Sequence, residues 1–275
     1  MEDITWELAH LAHVELLTPK LDESIRFFTE ILGMMLVETH EDCAYLRAYD
    51  DYEHYTLKLR AHRHAGIGHF AWRARSKSAL ERRVKAIRQA NLGIRWHEGE
   101  CGYGDTFMFR YPDGHLAEIY FDTRKYQPDE QHKSALKNTA SKFPGRGMNV
   151  RRIDHLNLLA KDIVAFSDFQ FKVLGGRMTE TIVFDEQPKG VWVSVNSKSY
   201  DLAITEDHSG LSGRFHHLTY AVNSREEVLL AADIALENGI FIETGPHKHA
   251  IQQTFFLYVY EPGGNRIEIA NPTAR

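Results

Sequence analysis

The chain is written twice. RIDHLNLLAKDIVAFSDFQFKVLGGRM in the second half follows the same run of residue types as LAHVELLTPKLDESIRFFTEILGMM in the first. GRFHHLTYAVNSREEVLLAADIALENGI follows GIGHFAWRARSKSALERRVKAIRQANLGI, and FLYVYEPGGNRIEIA follows FMFRYPDGHLAEIYF. Matching residues keep a steady offset: His13 and His155 are 142 apart, His69 and His217 are 148 apart, and Glu118 and Glu268 are 150 apart. Offsets that drift so little mark an internal duplication, so any fold proposed for one half must serve the other.

Each copy contains a shorter repeat. HVELLTPKLDESIRFFTEILGM reads as a strand and then an amphipathic helix, with Ile25, Phe28, Ile31 and Leu32 on one stripe and Gly33 as its stop. Short strands follow around MMLVET, CAYLRAY and YTLKLR. GIGHFAWRA opens a second round, with a helix from about Ser76 to Ala90 on Leu80, Val84 and Ile87, and a final hairpin joined at PDG. The chain is thus an α+β protein of four β-α-β-β-β modules. They fall in two tandem domains, residues 1–121 and 151–275. Residues 122–150 lose periodicity and gather Pro, Gly, Lys and Asn, which reads as a linker.

At 275 residues there is length for two ordinary domains with substantial cores. A net charge of −5 gives no general drive toward nucleic acid or anionic membrane. No run is long and apolar enough for a membrane span, and MEDITWELAH opens acidic rather than as a signal peptide. Cys43 and Cys101 are too few for a disulfide framework, so the cytoplasm is the expected compartment.

Within the final hairpin, TFFLYVY is aromatic and β-branched, EPGGN is turn-rich, and RIEIA alternates. Alternation puts Glu268 on the face opposite Ile267 and Ile269. A carboxylate on an inward face needs a partner, and a divalent metal would supply one. His155 and His217 stand on the opening strands of the two second-half modules. Two imidazoles and a carboxylate on three strands make the set that leaves metal positions open for substrate and oxygen. Taken singly, each of the three is more often a structural or surface residue. Their matching module positions change that.

The stretches IDHLNLL, GRFHHLTYAV, ETGPHKH and FFLYVYEPGGNRIEI, with the repeated module, resemble the type I extradiol ring-cleaving dioxygenases of the catechol 2,3-dioxygenase kind, in the vicinal oxygen chelate superfamily. The resemblance covers nearly the whole chain. It implies that each domain is an incompletely closed mixed β-barrel with helices outside. It implies extradiol cleavage of a catechol with O2 at an Fe(II), alternatively Mn(II), bound by His155, His217 and Glu268, and a homo-oligomer, dimer or tetramer. In the HH pair it assigns the ligand to His217, with His216 expected on the other face.

The resemblance also implies that His249 and Tyr258 stand beside the metal and handle substrate protons. The chain departs from the family pattern at Tyr200, where a His before Asp201 is usual. A Tyr can donate a hydrogen bond but is a weaker acid, and Tyr200 is expected as the oxygen-side donor, ahead of His208 in the polar loop EDHSG. Trp192 is a candidate wall for the ring. Thr244 stands where relatives acting on carboxylated catechols can carry Arg, which points to a neutral catechol, with Lys248 and Arg214 as other possible anion partners. The first half keeps His13, His69 and Glu118 but has Met108 in place of Tyr258 and no expected equivalent of His249. It is therefore expected to lack a catalytic metal. The competing readings are a glyoxalase- or epimerase-type enzyme, which would want a fourth protein ligand, and a metal-free aromatic-binding protein of the same fold.

Overall fold

A computed structural model of the chain describes residues 6–272; residues 1–5 and 273–275, the outer ends of the two expected domains, lie outside the described residues. The first half runs β1 (Leu8–Thr18), α1 (Leu21–Arg26), β2 (Met35–Thr39), β3 (Cys43–Arg47), β4 (Leu57–Ala61), β5 (Gly66–Ala74), α2 (Lys77–Gln89), β6 (Gly93–His97), β7 (Thr106–Arg110) and β8 (Leu116–Tyr120). The second half repeats it as β9 (Arg152–Ala160), α3 (Ile163–Phe169), β10 (Arg177–Phe184), β11 (Gln187–Ser194), β12 (Leu202–Glu206), β13 (Arg214–Ala221), α4 (Arg225–Glu237), β14 (Ile242–Lys248), β15 (Phe255–Tyr260) and β16 (Arg266–Asn271). A π-helical turn extends α1 over Phe27–Ile31 and α3 over Gln170–Leu174, so even this irregularity is duplicated.

Local chemistry sets the element ends. Ser76 Oγ accepts from the Ala79 amide and Ser224 Oγ from the Glu227 amide, satisfying amides that the first turns of α2 and α4 leave free. Leu80, Val84 and Ile87 bury the inner stripe of α2. Gly33 stops the first helix at φ +81°, where a Cβ would collide with the Arg146 carbonyl.

Each half builds one eight-stranded mixed sheet, ordered β2-β3-β4-β1-β5-β8-β7-β6 and β10-β11-β12-β9-β13-β16-β15-β14. The outermost strands do not pair with each other, so each sheet curls without closing. Its central pair, β1 with β5 or β9 with β13, is antiparallel, and each of these strands has a parallel neighbour on its other side. This order brings three strands, β9, β13 and β16, side by side at the sheet centre.

One apolar core runs through both halves. Polar links tie them at buried points: Trp72 Nε1 donates to the Tyr111 hydroxyl (2.9 Å), which donates to Gln170 Oε1 (2.6 Å). Ser24 Oγ donates to Glu261 Oε2 (2.5 Å). The connecting residues 122–150 form no named strand or helix, yet Met148 and Val150 are buried and their amides bond to the Ile31 and Leu32 carbonyls. Among the described residues no helix is long and apolar enough to cross a membrane.

Candidate metal centre

Strand register assembles the centre. On β13, Thr219 is paired with both His155 of β9 and Glu268 of β16, and His217 lies two residues earlier on the same strand. Side chains two apart share a face, so four residues from three adjacent strands point at one spot. All of them are buried: His155 and His217 are 2% exposed, and Thr219 and Glu268 are 0% exposed.

The donor atoms converge. His155 Nε2 lies 3.3 Å from His217 Nε2 and 3.1 Å from Glu268 Oε2, and His217 Nε2 lies 3.3 Å from the same oxygen. Ligands about 2.1 Å from an ion stand about 3.0 Å apart when they occupy neighbouring corners of an octahedron. The observed triangle is close to the size that one face of such a coordination sphere would need, which would leave the opposite face for other ligands. Asp154 Oδ2 sits 2.8 Å from His155 Nδ1. That bond fixes the Nδ1–H and turns the Nε2 lone pair toward the centre. Thr219 Oγ1 donates to Glu268 Oε2 at 2.6 Å and steadies the carboxylate.

The electrostatics fit a cation. Burial would raise Glu268, but hydrogen bonds from His155, His217 and His249 hold it well below the ordinary carboxylate range. Burial depresses His217 to about 4, leaving a neutral imidazole. His155, which burial would also depress, is held at about 8 by Asp154 and Glu268. Two imidazoles against one carboxylate thus divide a single proton unequally, and a shared divalent ion would replace that proton.

Around the centre lies a cavity of about 240 Å³ whose lining includes Trp192, Tyr200, His249, Tyr258, Ile182 and Ile251. His249 Nε2 is 3.3 Å from the Tyr258 hydroxyl and 3.1 Å from Glu268 Oε1, and its ring stacks on Phe256 at 3.5 Å. Tyr258 lies directly across from Glu268 in the hairpin. The Tyr200 ring packs 4.5 Å from that of His155. His155, His217, Trp192, Tyr200, His249 and Tyr258 thus line one cavity, and Glu268 touches the three histidines among them. His208 does not: its side chain is 80% exposed and pairs with Glu206. Lys248 is exposed, Arg214 pairs with Asp207, and neither lines this cavity.

Two expectations need correction. His216 does not turn to the other face, because the β9–β13 register shifts between Phe215 and His217. It lines the same cavity, with its Nδ1 2.6 Å from His217 Nδ1. A bulge of this kind breaks two-residue alternation and cannot be seen in HHL. The first half does contain a counterpart to His249. His97 Nε2 stands 3.0 Å from Glu118 Oε1, reaching the carboxylate from a register two residues off the expected place. The sequence signal was the lone His opening HEGECGYG. The partner roles of Asp154 and Thr219 were also missed, since neither type is unusual on a strand.

Comparison with known proteins agrees with this architecture. The model of the Glyoxalase/Bleomycin resistance protein/Dioxygenase superfamily matches residues 10–119 and 152–269. The chain belongs to that superfamily. It is 42% identical over 96% of its length to a metapyrocatechase of Geobacillus stearothermophilus, covering 81% of that protein. It is 36% identical over 97% of its length to a manganese-dependent 2,3-dihydroxybiphenyl 1,2-dioxygenase of Geobacillus genomosp. 3, covering 86% of that protein. Within the superfamily the chain is a member of the extradiol ring-cleaving dioxygenases. The fold also matches the solved 2,3-dioxygenase LapB from Pseudomonas sp. KL28, with a TM-score of 0.90 at 24% identity, over 98% of this chain and 95% of that one.

Proposed function

We propose that this protein cleaves the ring of a neutral, single-ring catechol beside one of its hydroxyls, using O2, at an Fe(II) or Mn(II) held by His155, His217 and Glu268. The observation that carries this reading is a three-donor face opening into a cavity that also holds the Tyr258–His249 couple. Bound there, the ion would take the catechol oxygens and pass electron density from the ring to O2.

The chain's own groups do the rest. Burial and the neighbouring Glu268 push the Tyr258 phenol well up, so it stays protonated and donates to a substrate oxygen. His249, 3.3 Å away and 31% exposed, takes a proton from the substrate and exchanges it with solvent. Its stacking on Phe256 and its contact with Glu268 hold the imidazole in place. Tyr200 is also pushed up by burial and by Glu268, so it acts as a hydrogen-bond donor on the oxygen side rather than as an acid. Trp192, Ile182 and Ile251 wall the ring.

The substrate class follows from volume and charge. About 240 Å³ is below the roughly 300–1,000 Å³ that pockets for drug-sized ligands span, which favours one ring over two. Among the described residues no Lys or Arg lines the cavity to receive a carboxylate. A glyoxalase- or epimerase-type reaction would want a fourth protein donor, and among the described residues this ligand group has three members.

The test is anaerobic loading with Fe(II) or with Mn(II), followed by oxygen uptake with catechol, 2,3-dihydroxybiphenyl and homoprotocatechuate. Uptake with a yellow product, fastest with catechol, is expected. Catechol binding without oxygen consumption would return the protein to the class of aromatic binders.

A further inference from the structure

We propose that the first half holds a second divalent cation, on His13, His69 and Glu118, and that this ion is structural. The three residues stand on β1, β5 and β8, neighbours in the same order as β9, β13 and β16. His13 Nε2 and His69 Nε2 are 3.2 Å apart, and they lie 3.6 and 3.5 Å from Glu118 Oε2. Donors about 2.1 Å from a first-row ion stand about 3.4 Å apart in a tetrahedron, so one ion reaches all three.

This carboxylate needs the ion more than its second-half counterpart does. Glu118 is 5% exposed, and both imidazole nitrogens are at or beyond the limit of a hydrogen bond from Oε2. Where Thr219 donates to Glu268, the matching position beside Glu118 is Ala71, which has no hydroxyl to give. A buried carboxylate short of hydrogen bonds requires a charge partner.

The supporting residues are arranged for a ligand set. Glu15 Oε2 lies 3.0 Å from His69 Nδ1, fixing that proton and aiming the Nε2 lone pair inward. Arg60 and Lys58 hold Glu15 at 2.7 and 3.2 Å. Gly68 makes the arrangement possible, because a Cβ there would collide with the Glu15 carboxylate. His97 Nε2 stands 3.0 Å from the far oxygen of Glu118 but is not aligned for a hydrogen bond, which leaves this carboxylate without one there.

The groups around this triad differ from those of a proton-handling site. Tyr55 and Tyr103 pack on the His13 ring at 5.1 and 4.8 Å, and Tyr103 and Tyr120 both donate to Glu53. Met108 faces Glu118 in the place of Tyr258. An ion here would be flanked by phenols on the His13 side.

The inference does not rest on the proposed reaction and is tested by stoichiometry. The full chain is stripped with chelator, dialysed against Zn(II) or Mn(II), and its metal counted by mass spectrometry. Wild type should retain two ions; Glu118→Gln, His13→Gln and Glu268→Gln should each retain one, and the Glu118→Gln/Glu268→Gln pair none. In the Glu268→Gln background, Zn(II) should raise Tm, and adding His13→Gln should remove that shift. The near-isosteric His13→Gln keeps the test open should Glu118→Gln fail to fold. One ion in wild type, or two retained by both first-half variants, overturns the proposal. Glu118→Gln should keep oxygen uptake whichever catechol is preferred.

Discussion

At the centre of each sheet the same three residue types stand on the same three strands, yet one centre lines a cavity while phenols crowd the His13 side of the other. The ligands therefore do not explain the difference. Their neighbours do. Position by position, the second half has Asp154, Ala203 and Tyr258 where the first has Ala12, Lys58 and Met108. Lys58 reaches across the first interior to Glu15 and Glu100, where Ala203 leaves space. Trp192 lines the open cavity, whereas Tyr45, in the same register, donates to Glu100 and packs into the tyrosine cluster. Duplication kept a residue set able to hold a metal in both copies, and the side chains around it set how crowded each centre is.

The sharpest way to break this comparison is to remove a ligand from each side. Glu268→Gln or His217→Ala should abolish catechol-dependent oxygen uptake, whereas His69→Ala should leave it measurable. Equal loss from both sides would mean that the halves share one reaction. Next in size is the proton couple. Tyr258→Phe and His249→Asn should each lower kcat by about 10²–10⁴-fold with metal content unchanged. Steady-state kinetics on metal-quantified protein checks this.

Asp154→Ala removes the bond that orients His155 and should weaken metal affinity about 10–100-fold, read by competition with a chelator. The first half has Ala12 at that position, so the prediction asks whether this partner separates a strong site from a weaker one. The smallest expected effect is at Tyr200. Losing one neutral hydrogen bond, about 1 kcal/mol, should lower kcat/KM for O2 about fivefold in Tyr200→Phe. No change would leave Tyr200 as a wall, the role that Tyr55 plays beside His13.

Much of the fold was legible because hydrophobic period and turn chemistry are local. The stripe of Leu80, Val84 and Ile87 and the Ser76 cap announce α2, and EPGGN announces the hairpin that sets Tyr258 across from Glu268. The two His/His/Glu triads that could hold a metal were legible through the repeat. His97 was not, because its approach to Glu118 depends on a register shift in β6 between Gly93 and Arg95. The inward place of His216 was hidden for the same reason, an irregular pairing that shifts one side chain without changing the letters around it.

By itself the sequence determined the duplication, the modules and the residue types able to bind a metal, because these depend on order and spacing along the chain. Only the tertiary structure decided what crowds each centre. That outcome depends on volumes and charges that meet across strands distant in sequence: Lys58 against Glu15, the tyrosines around His13, and the small Ala203 facing a cavity. A side chain's letter does not say whether its neighbours leave space beside it.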